Sequence, residues 1–254
     1  MTATNHALLT EAVELTRAAG ELTLRWFQSR DLEVDRKGDG TPVTEADRAA
    51  ERLLRDEIGR RYPDDAILGE EEADRPGTSG RTWIIDPIDG TKAFTRGVPL
   101  YSNLLAVDDG EGPAIGVINL PALGETVYAG RGLGCFADDR PVTVSDKDSL
   151  AHAYVSSSSF GHWDPEVFQR FRSAGTDLRT WGDGYGYALV ATGRIDVMVD
   201  PEAAHWDLAP MPVILAEAGG RFSAWDGSGD PRGGSGVATN GRLHDRVLAL
   251  LNGS

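Results

Sequence analysis

The chain has 254 residues, 40% hydrophobic and 26% charged, which is the make-up of a folded globular protein and excludes disorder as the default. Asp and Glu outnumber Lys and Arg by 40 to 25, a formal net charge of -15; this sets nucleic acid aside as a partner, because binding it rests on Lys and Arg neutralising phosphates. The single cysteine, Cys135, allows no internal disulfide and fits a reducing, cytoplasmic setting, and neither a leader pattern nor a membrane-length apolar run is present.

Leu8, Ala12, Leu15, Ala19, Leu22 and Trp26 recur at gaps of four and three, predicting an amphipathic first helix with Asn5 as its N-cap. A polar loop follows from Arg36 to Thr41. Thr44-Glu45-Ala46-Asp47 then opens a second helix that Tyr62-Pro63 ends, and Thr44 three residues before Asp47 makes a variant capping box. Two short apolar runs come next. Ala66-Ile67-Leu68 leads into Gly69-Glu70-Glu71, and Trp83-Ile84-Ile85 leads into Asp86-Pro87-Ile88-Asp89. Each reads as a strand whose C-terminal end delivers carboxylates.

Residues 101 to 144 read as a meander of strands separated by Gly, Pro and Asp clusters. Further on the pattern predicts a strand at Ala153 to Ser157, helices at Pro165 to Ser173 and Tyr185 to Thr192, and a strand at Ile195 to Val199. One helix is predicted over Asp207 to Ala218 and a last one over Leu243 to Leu251. With no repeat and no long linker, residues 1–254 form one layered α/β unit. Its first half, to about residue 145, carries most of the acidic candidates; the second half, from about 146, carries the substrate-side candidates and Asp207.

The most informative stretch is Trp83-Ile84-Ile85-Asp86-Pro87-Ile88-Asp89-Gly90-Thr91. Two aspartates three apart follow a buried strand, and Pro87 stiffens the turn between them. Carboxylate oxygens in such a turn suit hard divalent cations. Gly90 and Thr91, opening a helix, offer amides to a phosphate, and the Thr91 hydroxyl can orient water. An acidic turn with an Asp cap is the plain alternative for Asp-x-x-Asp alone; the full run is more specific.

This stretch resembles the metal-binding motif of the inositol monophosphatase family of magnesium-dependent phosphatases. Three more segments match in order: Thr44-Glu45-Ala46-Asp47, Gly69-Glu70-Glu71, and Trp206-Asp207 with Glu217-Ala218-Gly219-Gly220. The resemblance spans nearly the whole chain. It implies an alternating α-β-α-β-α sandwich, a homodimer, and two to three Mg2+ per site. By the same resemblance Glu70, Asp86 and the Ile88 carbonyl hold one ion, and Asp86, Asp89 and Asp207 a second. A third, weaker ion lies near Glu70. Glu70 and Thr91 orient the attacking water, Asp47 fixes the Thr91 hydroxyl, and Lys37 sits in a loop that approaches the site on closure. Crowded carboxylates repel one another unless cations intervene, and paired metals can clamp both oxygens of an in-line displacement. Glu71 and Glu72 read as solvated neighbours of Glu70.

Other chemistries lack their signatures. There is no Gly-x-x-x-x-Gly-Lys-Ser/Thr run, no Gly-x-Ser-x-Gly elbow and no His-x-x-x-His pair, and Cys135 lacks a phosphate-cradling loop. A non-catalytic metal- or phosphate-sensing module is the alternative of another class. For the substrate, Arg179-Thr180-Trp181-Gly182-Asp183-Gly184-Tyr185-Gly186-Tyr187 departs from the small residues of inositol-hydrolysing members. A carboxylate among aromatics suits a cationic, partly aromatic phosphate monoester. The segment, with Val199-Asp200-Pro201, resembles the histidinol-phosphatase branch. That implies L-histidinol phosphate as substrate, with Asp183 at its amine, Asp200 and Glu202 as further candidates, and Asp89, Trp181 and Tyr185 alongside. Inositol 1-phosphate or a broader set of sugar phosphates is the runner-up.

Overall fold

The computed structural model describes residues 2–30, 32–38 and 40–253. In chain order, α1 (Thr2–Thr23) is followed by a hairpin of β1 (Val34–Arg36) and β2 (Pro42–Thr44), then α2 (Glu45–Arg61), β3 (Ala66–Gly69), β4 (Thr82–Asp89) and α3 (Thr91–Thr95). The meander is β5 (Ser102–Asp108), β6 (Pro113–Leu120), β7 (Glu125–Gly130), β8 (Gly134–Ala137) and β9 (Arg140–Pro141). Then come β10 (Tyr154–Ser156), α4 (Pro165–Ser173), β11 (Asp177–Arg179), α5 (Asp183–Ala191), β12 (Val197–Asp200), α6 (His205–Leu208), α7 (Met211–Glu217), β13 (Arg221–Ser223), β14 (Gly236–Thr239) and α8 (His244–Asn252).

Strands β3 to β9 lie side by side in sequence order as a seven-stranded sheet, antiparallel except for the β3–β4 pair. A five-stranded sheet runs β11-β10-β12-β14-β13. Side-chain alternation along the strands sorts the core into layers. Trp83, Ile85, Leu105, Val107 and Val117 pack against Leu8, Ala12 and Leu15 of α1 and Leu54 and Ile58 of α2. The opposite face, with Leu104, Ile118 and Val127, packs on Tyr187 of α5 and Met211 and Ile214 of α7, and Met198 and Ala238 of the five-stranded sheet close that core from beyond. The outer face of the second sheet, with Val155, Val197 and Val237, buries Phe171 of α4 and Val247 and Leu251 of α8. The order is helices, sheet, helices, sheet, helices, which is the expected sandwich.

Several boundaries differ from those the sequence pattern predicts. Helix α1 begins at Thr2, so Asn5 lies within it and is not its N-cap. Arg36 ends β1, paired with Pro42, so the polar loop expected from Arg36 begins one residue later, as the connection of the β1–β2 hairpin. Helix α5 starts at Asp183, two residues early. The helix predicted over Asp207 to Ala218 is two, α6 and α7; Pro210 and Pro212 have no N–H to donate to the preceding turn, so the ladder breaks there.

Candidate active site

Asp86 and Asp89 are three residues apart, an odd spacing that would put them on opposite faces of a regular strand. The structure avoids this with a bulge. Asp86 pairs with Leu104 and Asp89 with Ser102, so β4 spends one more residue than β5 between those pairs, and the extra residue re-aims the side chains after it. Asn103 Nδ2 donates to the Pro87 carbonyl at 2.6 Å, the Ile88 amide to Asp86 Oδ1 at 3.0 Å, and Ser102 Oγ to Asp89 Oδ2 at 2.6 Å. Both aspartates thus face α6. Asp207 enters from there, its Oδ2 accepting the Ala204 amide at 2.8 Å as the helix begins. Among the described residues, Asp86, Asp89 and Asp207 each bring a carboxylate oxygen within 4.8 Å of the other two.

These carboxyls are held above their usual range. Burial is the main cause for Asp86, followed by repulsion from Glu70, Asp89 and Asp207. Burial also raises Asp89, with Asp183 and Asp207 adding to it, and Asp207 is pushed up to about 6, mainly by burial. Asp86 Oδ2 is buried with no hydrogen-bond partner. A buried acceptor left unpaired among like charges is costly. Hard oxygen donors with no sulfur or imidazole among them suit a divalent ion such as Mg2+, Mn2+ or Ca2+, so the residues present fit a metal centre.

The loop after β3 carries Glu70, and it is held from below by Glu51, fully buried in α2. Glu51 Oε2 accepts the Glu71 amide at 2.8 Å, and its Oε1 accepts the Glu72 amide at 3.0 Å and Arg55 Nε at 2.8 Å. Lys37 reaches in from the hairpin, its Nζ 2.6 Å from both Glu70 Oε1 and Glu71 Oε1. Burial disfavours this ammonium, but its hydrogen bonds to Glu70 and Glu71 outweigh that and raise its pKa. Glu71 is therefore not the solvated neighbour expected: its side chain is 7% exposed, and burial pushes its carboxyl up to about 7. Glu72 is the more open of the two.

Asp47 acts as the third residue of the α2 cap. Its Oδ2 accepts from the Thr44 amide at 2.8 Å and the Thr44 hydroxyl at 2.6 Å, while its buried Oδ1 has no partner. The expected Asp47–Thr91 contact is replaced by another, because the Thr91 hydroxyl donates to the Ile88 carbonyl at 3.0 Å. Gly90, at φ 77°, caps the one-turn α3; a Cβ there would stand 2.9 Å from Asp183 Oδ2, so only glycine lets Asp183 this close.

Residues 4–254 match the sequence profile of the inositol monophosphatase family. The chain belongs to that family. Histidinol-phosphatase from Mycobacterium tuberculosis (strain ATCC 25618 / H37Rv) is 44% identical over 98% of this chain and 99% of its own. A fructose-1,6-bisphosphatase/inositol-1-monophosphatase from Thermotoga maritima is 34% identical, covering 95% of this chain and 94% of its own. The crystal structure of extragenic suppressor protein suhB from Bartonella henselae superposes with a TM-score of 0.90 at 27% identity, over 96% of this chain and 98% of the other.

Membership in the inositol monophosphatase family makes this chain a phosphoric monoester hydrolase; the remaining candidates are those the sequence assigned to the substrate. Asp183, at the start of α5, has its carboxylate beside Gly90 and Asp89. Burial raises its pKa, against the pull of Ser158 and Lys92. Asp200 does not stand free for substrate. It is 5% exposed, with Oδ1 accepting the Ser158 amide at 2.9 Å and Oδ2 the Tyr187 hydroxyl at 3.2 Å; it is an internal anchor. Glu202 is exposed, its Oε2 3.3 Å from His162 Nδ1. Trp181 stacks on Tyr154, with the Arg179 guanidinium over both rings, and Tyr185 packs against the core around α5 and α7. Sequence reasoning missed Glu51, Ser102 and Ser158. Glu51 had a signal: it follows Asp47 by four on the buried face of α2 beside Ala50 and Leu54.

Proposed function

We propose that this protein hydrolyses L-histidinol phosphate to L-histidinol and phosphate, using two to three Mg2+ held by Asp86, Asp89, Asp207, Glu70 and the Ile88 carbonyl. When bound, the ions supply neutralisation of the carboxylates and Lewis-acid activation of water and phosphate oxygens. The chain's own groups do the remaining work. Glu70 and Thr91 orient the attacking water, and Asp47, whose buried Oδ1 has no partner, has an acceptor to spare for a hydrogen bond. The amides of Gly90 and Thr91 receive phosphate oxygens. Water adds to phosphorus as the ester P–O bond breaks, and the proton this water gives up is delivered to the leaving alkoxide, which becomes the alcohol.

The observation that carries the substrate reading is Asp183: a carboxylate set beside the metal ligands, where it can pair with the ammonium of the leaving group. The 44% identity to a histidinol-phosphatase supports it, and the 34% identity to a fructose-1,6-bisphosphatase/inositol-1-monophosphatase keeps neutral polyol phosphates as the second reading. Catalytic efficiency across a panel of phosphate monoesters decides between them. Histidinol phosphate is expected to lead inositol 1-phosphate, and Asp183→Ala is expected to cut kcat/KM about a hundredfold on the first with little change on the second. Equal losses on both count against the amine contact and leave the phosphatase intact. A homodimer is proposed on the family resemblance, to be read by analytical ultracentrifugation. A cytoplasmic site is proposed on the single, free and buried Cys135.

A further inference from the structure

Asp183 occupies the left-handed backbone region, at φ 54°, which few non-glycine residues adopt, aspartate more readily than most, and which its surroundings here support. Two hydrogen bonds do so. The Asp183 amide donates to Ser158 Oγ at 2.7 Å, and the next amide, Gly184, donates to Asp89 Oδ2 at 2.5 Å. Ser158 is fixed in turn, its own amide donating to Asp200 Oδ1 at 2.9 Å. The two segments touch closely: a Cβ at Gly182 would stand 2.1 Å from Ser158 Cα. In this conformation the Asp183 carboxylate lies over Gly90, its Oδ2 2.9 Å from where a Gly90 Cβ would stand.

We propose that Ser158 is a positioning residue for selectivity: by accepting the Asp183 amide it keeps that backbone left-handed and its carboxylate at the place where a substrate ammonium arrives. This deepens the histidinol phosphate reading and rests on it. Asp200 and Tyr187 complete the chain of support, since Asp200 anchors Ser158 and the Tyr187 hydroxyl donates to Asp200 Oδ2 at 3.2 Å. Without the Ser158 hydroxyl, Asp183 loses the acceptor for its amide, relaxes to negative φ and withdraws its carboxylate. A substrate with no cationic group makes no ion pair with that carboxylate and loses far less from the change.

The experiment is a double-mutant cycle with Ser158→Ala, Asp183→Ala and the double variant, assayed in Mg2+ with histidinol phosphate and with inositol 1-phosphate. Ser158→Ala is expected to lose roughly tenfold in kcat/KM on histidinol phosphate, mostly as a rise in KM, with no comparable loss on inositol 1-phosphate. The double variant is expected to be no worse than Asp183→Ala, because Ser158 acts through Asp183. A crystal structure of Ser158→Ala should show Asp183 out of the left-handed region. Equal losses on both substrates, additive losses in the double variant, or an unmoved Asp183 each overturn the proposal. A wild-type enzyme with no preference for histidinol phosphate sinks the substrate reading and the selectivity role together. A preference left undiminished by Ser158→Ala removes Ser158 alone.

Discussion

At the scale of residues, the side chains that touch no substrate decide where the ligands stand. Glu51 is the clearest case. Its carboxylate receives the Glu71 and Glu72 amides and Arg55 Nε in a fully buried setting. Removing it leaves two amides and a largely buried guanidinium without their acceptor, which costs about 3 kcal/mol. Glu51→Ala should therefore lower the unfolding free energy in urea by that amount and weaken Mg2+ binding roughly tenfold by isothermal titration, as losses behind a metal ligand do; unchanged affinity would separate Glu51 from the site. The acidic cluster itself was legible in the sequence because its residue types announce it. The engagements of each acid were not. Asp200 looks as available in the sequence as Asp183, yet both its oxygens are spent on Ser158 and Tyr187. Glu71 looks like a surface residue beside Glu70, yet it lies under the Lys37 ammonium. Pairings across long stretches of chain leave no periodic trace.

At the scale of elements, the bulge in β4 does what no local motif states. It turns two carboxylates at odd spacing onto one face, and Asn103 on the neighbouring strand braces it through the Pro87 carbonyl while its Oδ1 accepts Asn119 Nδ2 at 2.9 Å. Asn103→Ala should cost about 1–3 kcal/mol in chemical unfolding and loosen Mg2+ binding. The preference between histidinol phosphate and inositol 1-phosphate should stay as it was, since α5 is untouched. A shift in that preference would mean the two sides of the site are not separable. Helix ends were legible where side chains cap them: α4 runs Pro165–Ser173 as read, with the Asp164 side chain accepting the Glu166 amide. They were missed where the determinant is tertiary, as with α5 beginning at Asp183 because Ser158 and Asp89 take its first amides.

At the scale of the whole molecule, the five layers could be read from the resemblance of ordered motifs, but not from periodicity, which missed β1, β2, β11, β13 and β14. Folding gathers acidic groups from both halves, and this sets the pH response of the metal-free protein. Asp207 and Asp47 are pushed from the usual 3.8 up to about 6, chiefly by burial. Between about pH 4 and 6 the folded chain therefore holds more protons than the unfolded one, so this cluster's contribution to stability grows as pH falls through that window and is lost as pH rises through about 6. Chelator-treated protein is expected to have a higher Tm at pH 5.5 than at pH 7.5, by about 2–4 °C for each kcal/mol involved. Added Mg2+ should raise Tm more at pH 7.5 than at pH 5.5, and Asp207→Asn should flatten the metal-free profile. A metal-free Tm that climbs with pH over this range would contradict the assignment. The hydrogen bond between the Gly184 amide and Asp89 marks a seam in the molecule. Asp86 and Asp89 are rooted in the seven-stranded sheet and Asp183 in a helix beyond it; under the proposed function the first two handle phosphorus and the third faces the departing alcohol. Descendants of such a scaffold can exchange one clientele for another by editing the far bank of the seam, while the hydrolytic apparatus is inherited intact.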